Sequence, residues 1–333
     1  MNNERIEFID LAKGICIILV VIVHVVPDFG KDFKFVSCLR MPLYFCLSGL
    51  FYKNYGSLKN LSIRKINKIL IPFVFWYLIG YAIYYIGRII TSSESNATFH
   101  IYDIFTQNEI YNLPIWFLIC LFWSNMLFYV VESVSKRWYC QFALVFLIAS
   151  LGWLMMLCKT FNYLYIGSSM TCLPFFYLGY MLKRTSILYS SSNKKKDFGV
   201  MSCALLMALA FAFIPDLPPR LGYYKNVVES GGPFQIYICA AAFVVALLMI
   251  CKFINHIPYV SWLGRYSIIV LVTHYWMNDV IQRIFVKVSN NKLSDFSIDV
   301  ISLSIVLTLM LLIIPFCIKY LPHVTSQKDV IKS

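Results

Sequence analysis

Apolar stretches close to the roughly 20 residues needed to cross a bilayer recur along the whole chain, separated by short polar connectors. Ten of them read as membrane-spanning helices, near 11–27, 37–52, 69–90, 113–132, 141–158, 168–182, 199–214, 234–254, 264–286 and 300–320. The second and sixth are short, which suits tilted, broken or re-entrant segments. The expected fold class is all-α: a polytopic transmembrane helical bundle of about ten spans, forming one integral membrane domain over residues 1–333. No stretch is left for a separate soluble catalytic domain. Acidic Glu4, Glu7 and Asp10 accompany Arg5 before the first block, and Val25-Val26-Pro27-Asp28 follows it without a small-x-small cleavage site. These flanks predict a retained first helix and not a signal peptide.

Charge between the blocks orients them. With the N-terminus inside, Lys53, Lys59, Arg64, Lys65 and Lys68 follow the second span, and Lys136 and Arg137 follow the fourth. Lys183, Arg184, Lys194, Lys195 and Lys196 then follow the sixth, Lys252 the eighth, and Lys319, Lys328 and Lys332 the last. All of these clusters fall on one side. The opposite connectors are mixed or acidic, with Asp28, Lys31, Asp32 and Lys34 after the first span and Glu94, Asp103 and Glu109 after the third. The topology expected from the positive-inside rule is N-in, C-in. Of two Asn-x-Ser/Thr triplets, Asn96-Ala97-Thr98 falls outside and Asn60-Leu61-Ser62 inside, and chance accounts for both.

Composition agrees with this pattern. Sixty per cent of the 333 residues are hydrophobic and 14% charged, and the mean hydropathy of +0.71 excludes an ordinary soluble protein. A net charge of +13 would suit a nucleic-acid binder, but its distribution follows the membrane rule, so no nucleic-acid partner is expected. The 11 cysteines, among them Cys16, Cys46, Cys120, Cys203 and Cys239, form no CxxC and have no accompanying histidine cluster. They read as small buried hydrophobes, with no metal site and no disulfide framework.

Candidate chemistry begins in the first span, where Lys13 and His24 bracket an otherwise apolar run. An eleven-residue step turns a helix through roughly three turns plus 20°, so both side chains share one face about 16 Å apart along the axis. Lys13 fits either an interfacial anchor, with Asp10 at i−3 as its partner, or a site residue. His24 fits either a neutral histidine bonded to a neighbouring helix or a general base.

The Lys13-x10-His24 spacing resembles the Arg/Lys-x10-His motif in the first helix of the acyltransferase 3 family of integral membrane acyltransferases. That family includes fucose 4-O-acetylase-like and O-antigen or exopolysaccharide acetyltransferases. Arg40-Met41-Pro42-Leu43-Tyr44-Phe45-Cys46-Leu47-Ser48-Gly49 is similar to the family's Met-Pro-Leu-Phe-Phe-Phe-Leu-Ser-Gly signature. There, Pro42 and Gly49 suit a broken or tightly packed helix, and Ser48 and Gly49 suit small-residue helix packing. Arg64-Lys65-Ile66-Asn67-Lys68-Ile69-Leu70-Ile71-Pro72 resembles its Arg-x-x-Arg stretch, with Lys65 and Lys68 at the arginine positions. Lysine cannot fork onto a phosphate as arginine does. Pro114-Ile115-Trp116-Phe117-Leu118, Pro174-Phe175-Phe176-Tyr177-Leu178-Gly179, and Leu263-Gly264-Arg265-Tyr266-Ser267 with His274 match later family segments in order.

The resemblance implies an O-acetyltransferase with no bound cofactor, in a bacterial cytoplasmic (inner) membrane. Its expected donor is acetyl-CoA or another acyl-CoA, and its acceptor a hydroxyl of a cell-surface polysaccharide or lipid-linked sugar. His24 is the expected base and Lys13 the residue that holds donor charge or orients a helix. Arg64, Lys65 and Lys68 are expected at the coenzyme A phosphates, and Asp10, Arg40, Ser48, Trp116 and His274 are further candidates. His274 also reads as a structural hydrogen-bonding residue. Acetyl either passes directly to the acceptor or first resides on His24. Broken spans with buried ionisable groups also fit a transporter or flippase of a lipid-linked sugar.

Overall fold

Helix boundaries follow turn chemistry at several points. Ser57 accepts a bond from the Asn60 amide, and Ser294 one from the Ser297 amide, each capping the helix it precedes. Pro233 and Pro258 sit in the first turns of their helices, where a missing N–H costs nothing. The computed structural model describes residues 6–26, 36–91, 112–185, 188, 194–213, 220–289 and 294–331.

In chain order, α1 (Glu7–Val25) and α2 (Val36–Leu50) precede a short α3 (Leu58–Lys65), which continues through a π turn (Ile66–Leu70) into α4 (Ile71–Thr91). Then come α5 (Trp116–Val134), α6 (Trp138–Leu157), α7 (Ile166–Arg184) and α8 (Lys194–Phe213). A two-stranded antiparallel hairpin, β1 (Arg220–Gly222) and β2 (Val227–Ser230), leads to α9 (Pro233–Ile254), α10 (Pro258–Arg265), α11 (Ser267–Ser289) and α12 (Asp295–Tyr320).

The described residues thus form an all-α bundle with one small hairpin. Among the described residues, seven helices are long and apolar enough to cross a membrane, with Leu58–Ile86 counted as one. α2 is apolar but only 15 residues long. The predicted segments near 37–52, 168–182 and 264–286 are helical but have no counterpart among these seven, and residues 27 and 214 lie outside the described residues. Two boundaries differ from expectation. The third helical run begins at Leu58 and not near 69, because the basic stretch is itself helical. The ninth is split at Tyr266 (φ −111°, ψ 26°), which puts Gly264 and Arg265 in α10. The mixed and acidic connectors carrying Asp28, Lys31, Asp32, Lys34, Glu94, Asp103 and Glu109, and the Asn96-Ala97-Thr98 triplet, also lie outside the described residues.

Two glycine crossings hold the bundle centre. A Cβ on Gly49 would collide with the Phe176 carbonyl and one on Gly179 with the Cys46 carbonyl, so α2 and α7 meet backbone to backbone. Gly14 and Gly264 do the same for α1 and α10, against the carbonyls of Val260 and Asp10. Without a hydrophobic driving force between helices in lipid, such close approach is what dispersion needs. Pro42 lies within α2 without interrupting it, so the motif produces a tightly packed helix and not a broken one. Most cysteines are buried in these contacts, but Cys158 and Cys203 are exposed. Cys203 departs from its buried reading because α8 packs chiefly on α9 and turns its other faces outward.

Two non-helical segments are tied into the bundle. At the hairpin tip, Asn226 adopts φ 51°, a conformation asparagine tolerates. Its Nδ2 donates to the Gly152 carbonyl (3.3 Å), and its Oδ1 accepts from the Thr171 hydroxyl (3.0 Å). The Ser168 hydroxyl donates to the Tyr223 carbonyl at 2.6 Å. The hairpin is therefore locked onto α6 and α7, and Tyr223 is buried. The C-terminal strap, 321–331, lies on the π turn, where Asn67 accepts from the amides of Val330 (2.9 Å) and Ile331 (2.8 Å). Asn67 also donates to the Ile331 carbonyl at 2.8 Å.

Candidate active site

α1 packs against α11, and the contact near the end of α1 brings two histidines together. The rings of His24 and His274 lie edge to face, with centroids 5.3 Å apart and planes at 65°. His274 is fully buried, whereas His24 is only partly so. The Nδ1 of His24 is 2.7 Å from the Val20 carbonyl, and that of His274 is 2.8 Å from the Val270 carbonyl. A carbonyl only accepts, so in each neutral ring Nδ1 carries the proton and Nε2 keeps its lone pair. The Nε2 of His274 has no hydrogen-bond partner among the described residues. Tyr275 stands edge-on to His24 with centroids 5.8 Å apart.

Arg40, on α2, is the cation of this neighbourhood. Its guanidinium is an electrostatic neighbour of His24, Cys16 and Tyr223, and its carbonyl accepts the Cys16 thiol at 3.1 Å. The candidate site therefore draws on α1, α2 and α11. Chemically, it presents two imidazole lone pairs beside a guanidinium inside the bundle. Such a set suits taking a proton from a hydroxyl and meeting negative charge on an oxygen.

The other sequence candidates lie elsewhere. α1 is continuous, so Lys13 shares the His24 face but stands about 16 Å down the axis. Its Nζ lies 5.1 Å from the centre of the Phe51 ring, at the end of α2 from which α3 departs, and its carbonyl accepts the Tyr44 hydroxyl at 3.3 Å. Asp10 is buried, with Oδ2 3.9 Å from Nε of Arg265 on α10. Arg64 stacks on Tyr55 at 4.6 Å. Lys68 is engaged by the strap, with its Nζ 2.8 Å from Asp329 Oδ1 and 2.9 Å from the Ser326 carbonyl. Ser48 accepts from Asn125 Nδ2 at 3.3 Å, which makes it a link between α2 and α5. Trp116 opens α5 in an aromatic trio with Tyr165 (5.6 Å) and Tyr224 (5.9 Å).

Sequence reasoning missed Tyr275, Tyr223 and the strap. Tyr275 adjoins His274 and falls on the same helix turn, a signal that was present; Tyr223 sits in what reads as a connector and carries none.

An all-α bundle with seven helices long and apolar enough to cross a membrane among the described residues, and two histidines in contact inside it, defines a multi-pass integral membrane protein. The model of the acyltransferase 3 family, described as an acyltransferase domain, matches residues 6–320, and the chain belongs to that family. No curated protein and no solved structure matches it. Membership assigns the chain to acyltransferases and not to the transporters that buried ionisable groups also fit.

Proposed function

We propose that this membrane acyltransferase moves an acetyl group from acetyl-CoA to a hydroxyl of a cell-surface polysaccharide or lipid-linked sugar. The observation that carries the reading is the edge-to-face contact of His24 with buried His274, whose Nε2 has no partner among the described residues, in the electrostatic neighbourhood of Arg40. His24, the more accessible ring, takes the acceptor proton on Nε2 as the acceptor oxygen bonds to the thioester carbonyl carbon. Arg40 meets the oxyanion of the tetrahedral intermediate. Collapse breaks the carbon–sulfur bond, and the departing thiolate takes the proton back from His24. His274 supports the transient imidazolium with its own lone pair.

Donor and acceptor arrive from opposite ends of α1 in this reading. Lys13, Arg64 and Lys65 lie toward one end and would receive the charged part of coenzyme A, whose long pantetheine arm covers the remaining 16 Å or so. N-in, C-in topology in a bacterial cytoplasmic membrane makes that end cytoplasmic and the acceptor side external. Proteoliposomes given acetyl-CoA and candidate glycans test the proposal through thiol release and formation of an alkali-labile ester. Unchanged thiol release and ester formation in His24→Ala would remove His24 from the chemistry.

A further inference from the structure

An open apolar groove lies apart from the histidines, between α6, α7, α8 and α9. Its volume is about 790 Å³, within the roughly 300–1,000 Å³ range of sites that take a whole small ligand. Trp138, Phe142 and Phe146 form an aromatic wall, while Gly199, Ala204 and Ala241 leave room opposite. Its two phenols do not offer hydroxyls to a ligand. Tyr177 donates to the Trp138 carbonyl (2.8 Å), and Tyr237 accepts from Trp153 Nε1 (2.7 Å) while donating to the Thr171 carbonyl (2.8 Å). The lining therefore suits hydrocarbon and little else.

One end of this slot is basic. Arg137 immediately precedes Trp138, Lys194, Lys195 and Lys196 lie just before Gly199, and Lys183 and Arg184 close α7; all are exposed. The carboxylates nearby already hold cations, Asp197 that of Lys252 (2.8 Å) and Glu132 that of Lys136 (3.3 Å). An apolar slot ending in exposed positive charge is complementary to an anionic amphiphile, whose chain fills the slot while its phosphate sits among the cations. A second copy of the chain seated here would instead bring these basic ends together.

We propose that this groove retains an acyl chain of an anionic glycerophospholipid, with its headgroup phosphate at Arg137 and Lys194–Lys196. The full-length protein in phosphatidylcholine vesicles is photolysed with trace phosphatidylglycerol carrying a diazirine on its acyl chain, and in parallel with the matching phosphatidylcholine probe. The expected result is labelling of peptides containing Phe142–Phe146 and Cys203–Met207, at least about five-fold stronger with the anionic probe. Filling the slot in Ala204→Phe/Ala241→Phe should abolish that labelling. Replacing Lys194, Lys195 and Lys196 with Gln, which touches no buried position, should reduce the anionic probe to the level of the zwitterionic one. Equal labelling of the native protein by both probes would overturn the proposal in favour of ordinary boundary lipid. Undiminished labelling of the filled variant, or a dimer cross-linked through these helices, would overturn it as well.

Discussion

The imidazole of His24 meets that of His274 edge to face at 5.3 Å, and both rings tether Nδ1 to the carbonyl four residues earlier. Each ring is thereby held in the tautomer that leaves Nε2 free to take a proton. Removing the accessible base, in His24→Ala, should lower kcat by about 10² to 10⁴. His274→Ala should lower kcat as well, and the double variant should lose far less than the product of the two effects, since the rings act as a unit. Multiplicative losses would show that they act independently.

Arg40, on α2, is an electrostatic neighbour of His24. Arg40→Ala should reduce kcat by roughly 10² to 10³ with little change in donor KM, the size expected for loss of an oxyanion partner. Arg40→Lys should recover part of that loss. A rise in KM alone would assign Arg40 to donor binding.

Lys65 and Lys68 are not equivalent, although their spacing suggests a matched pair. Lys68 is committed to Asp329 and Ser326 of the strap. Measured as donor KM, Lys65→Gln should raise it about ten-fold, or 1.4 kcal/mol, while Lys68→Gln should have a smaller effect. The reverse order would mean that the strap leaves Lys68 when the donor binds.

Asn67 makes three hydrogen bonds to the strap backbone. Asn67→Ala leaves those groups without their partner, at about 1–3 kcal/mol. Limited proteolysis should then cut at Lys328 faster than in the parent protein, with thermal stability of the bundle lowered only slightly. An unchanged cleavage rate would show that other contacts suffice to hold the strap.

At the α2–α7 crossing, Gly179→Ala drives a methyl group into the Cys46 carbonyl. Overpacking of this kind costs about 1–3 kcal/mol or more, because backbone cannot rotate out of the way. A clear drop in melting temperature in detergent is expected, and Gly199→Ala, whose Cβ meets nothing within 4 Å, should leave it unchanged.

Helices and their faces were legible in the sequence because they depend on local spacing. The run from Lys13 to His24 needs only helical periodicity to place both residues on one stripe, and a continuous α1 keeps them about 16 Å apart. Pro42, Gly49 and Gly179 were visible as motif residues, but their purpose, two backbones in contact, was not. Which stripe faces which neighbour is a long-range matter, set where Gly14 meets Gly264 and Gly49 meets Gly179. Only that packing put His274, 250 positions away in the chain, against His24 and brought Arg40 into their neighbourhood. It also engaged Lys68 with Asp329, which no local pattern marks. Charge and periodicity are properties of neighbouring residues, and so the sequence alone determined the all-α class and the helix face carrying Lys13 and His24. The partners across each helix contact are chosen by the whole bundle's fit, and so the tertiary structure decided which residues meet at the candidate site.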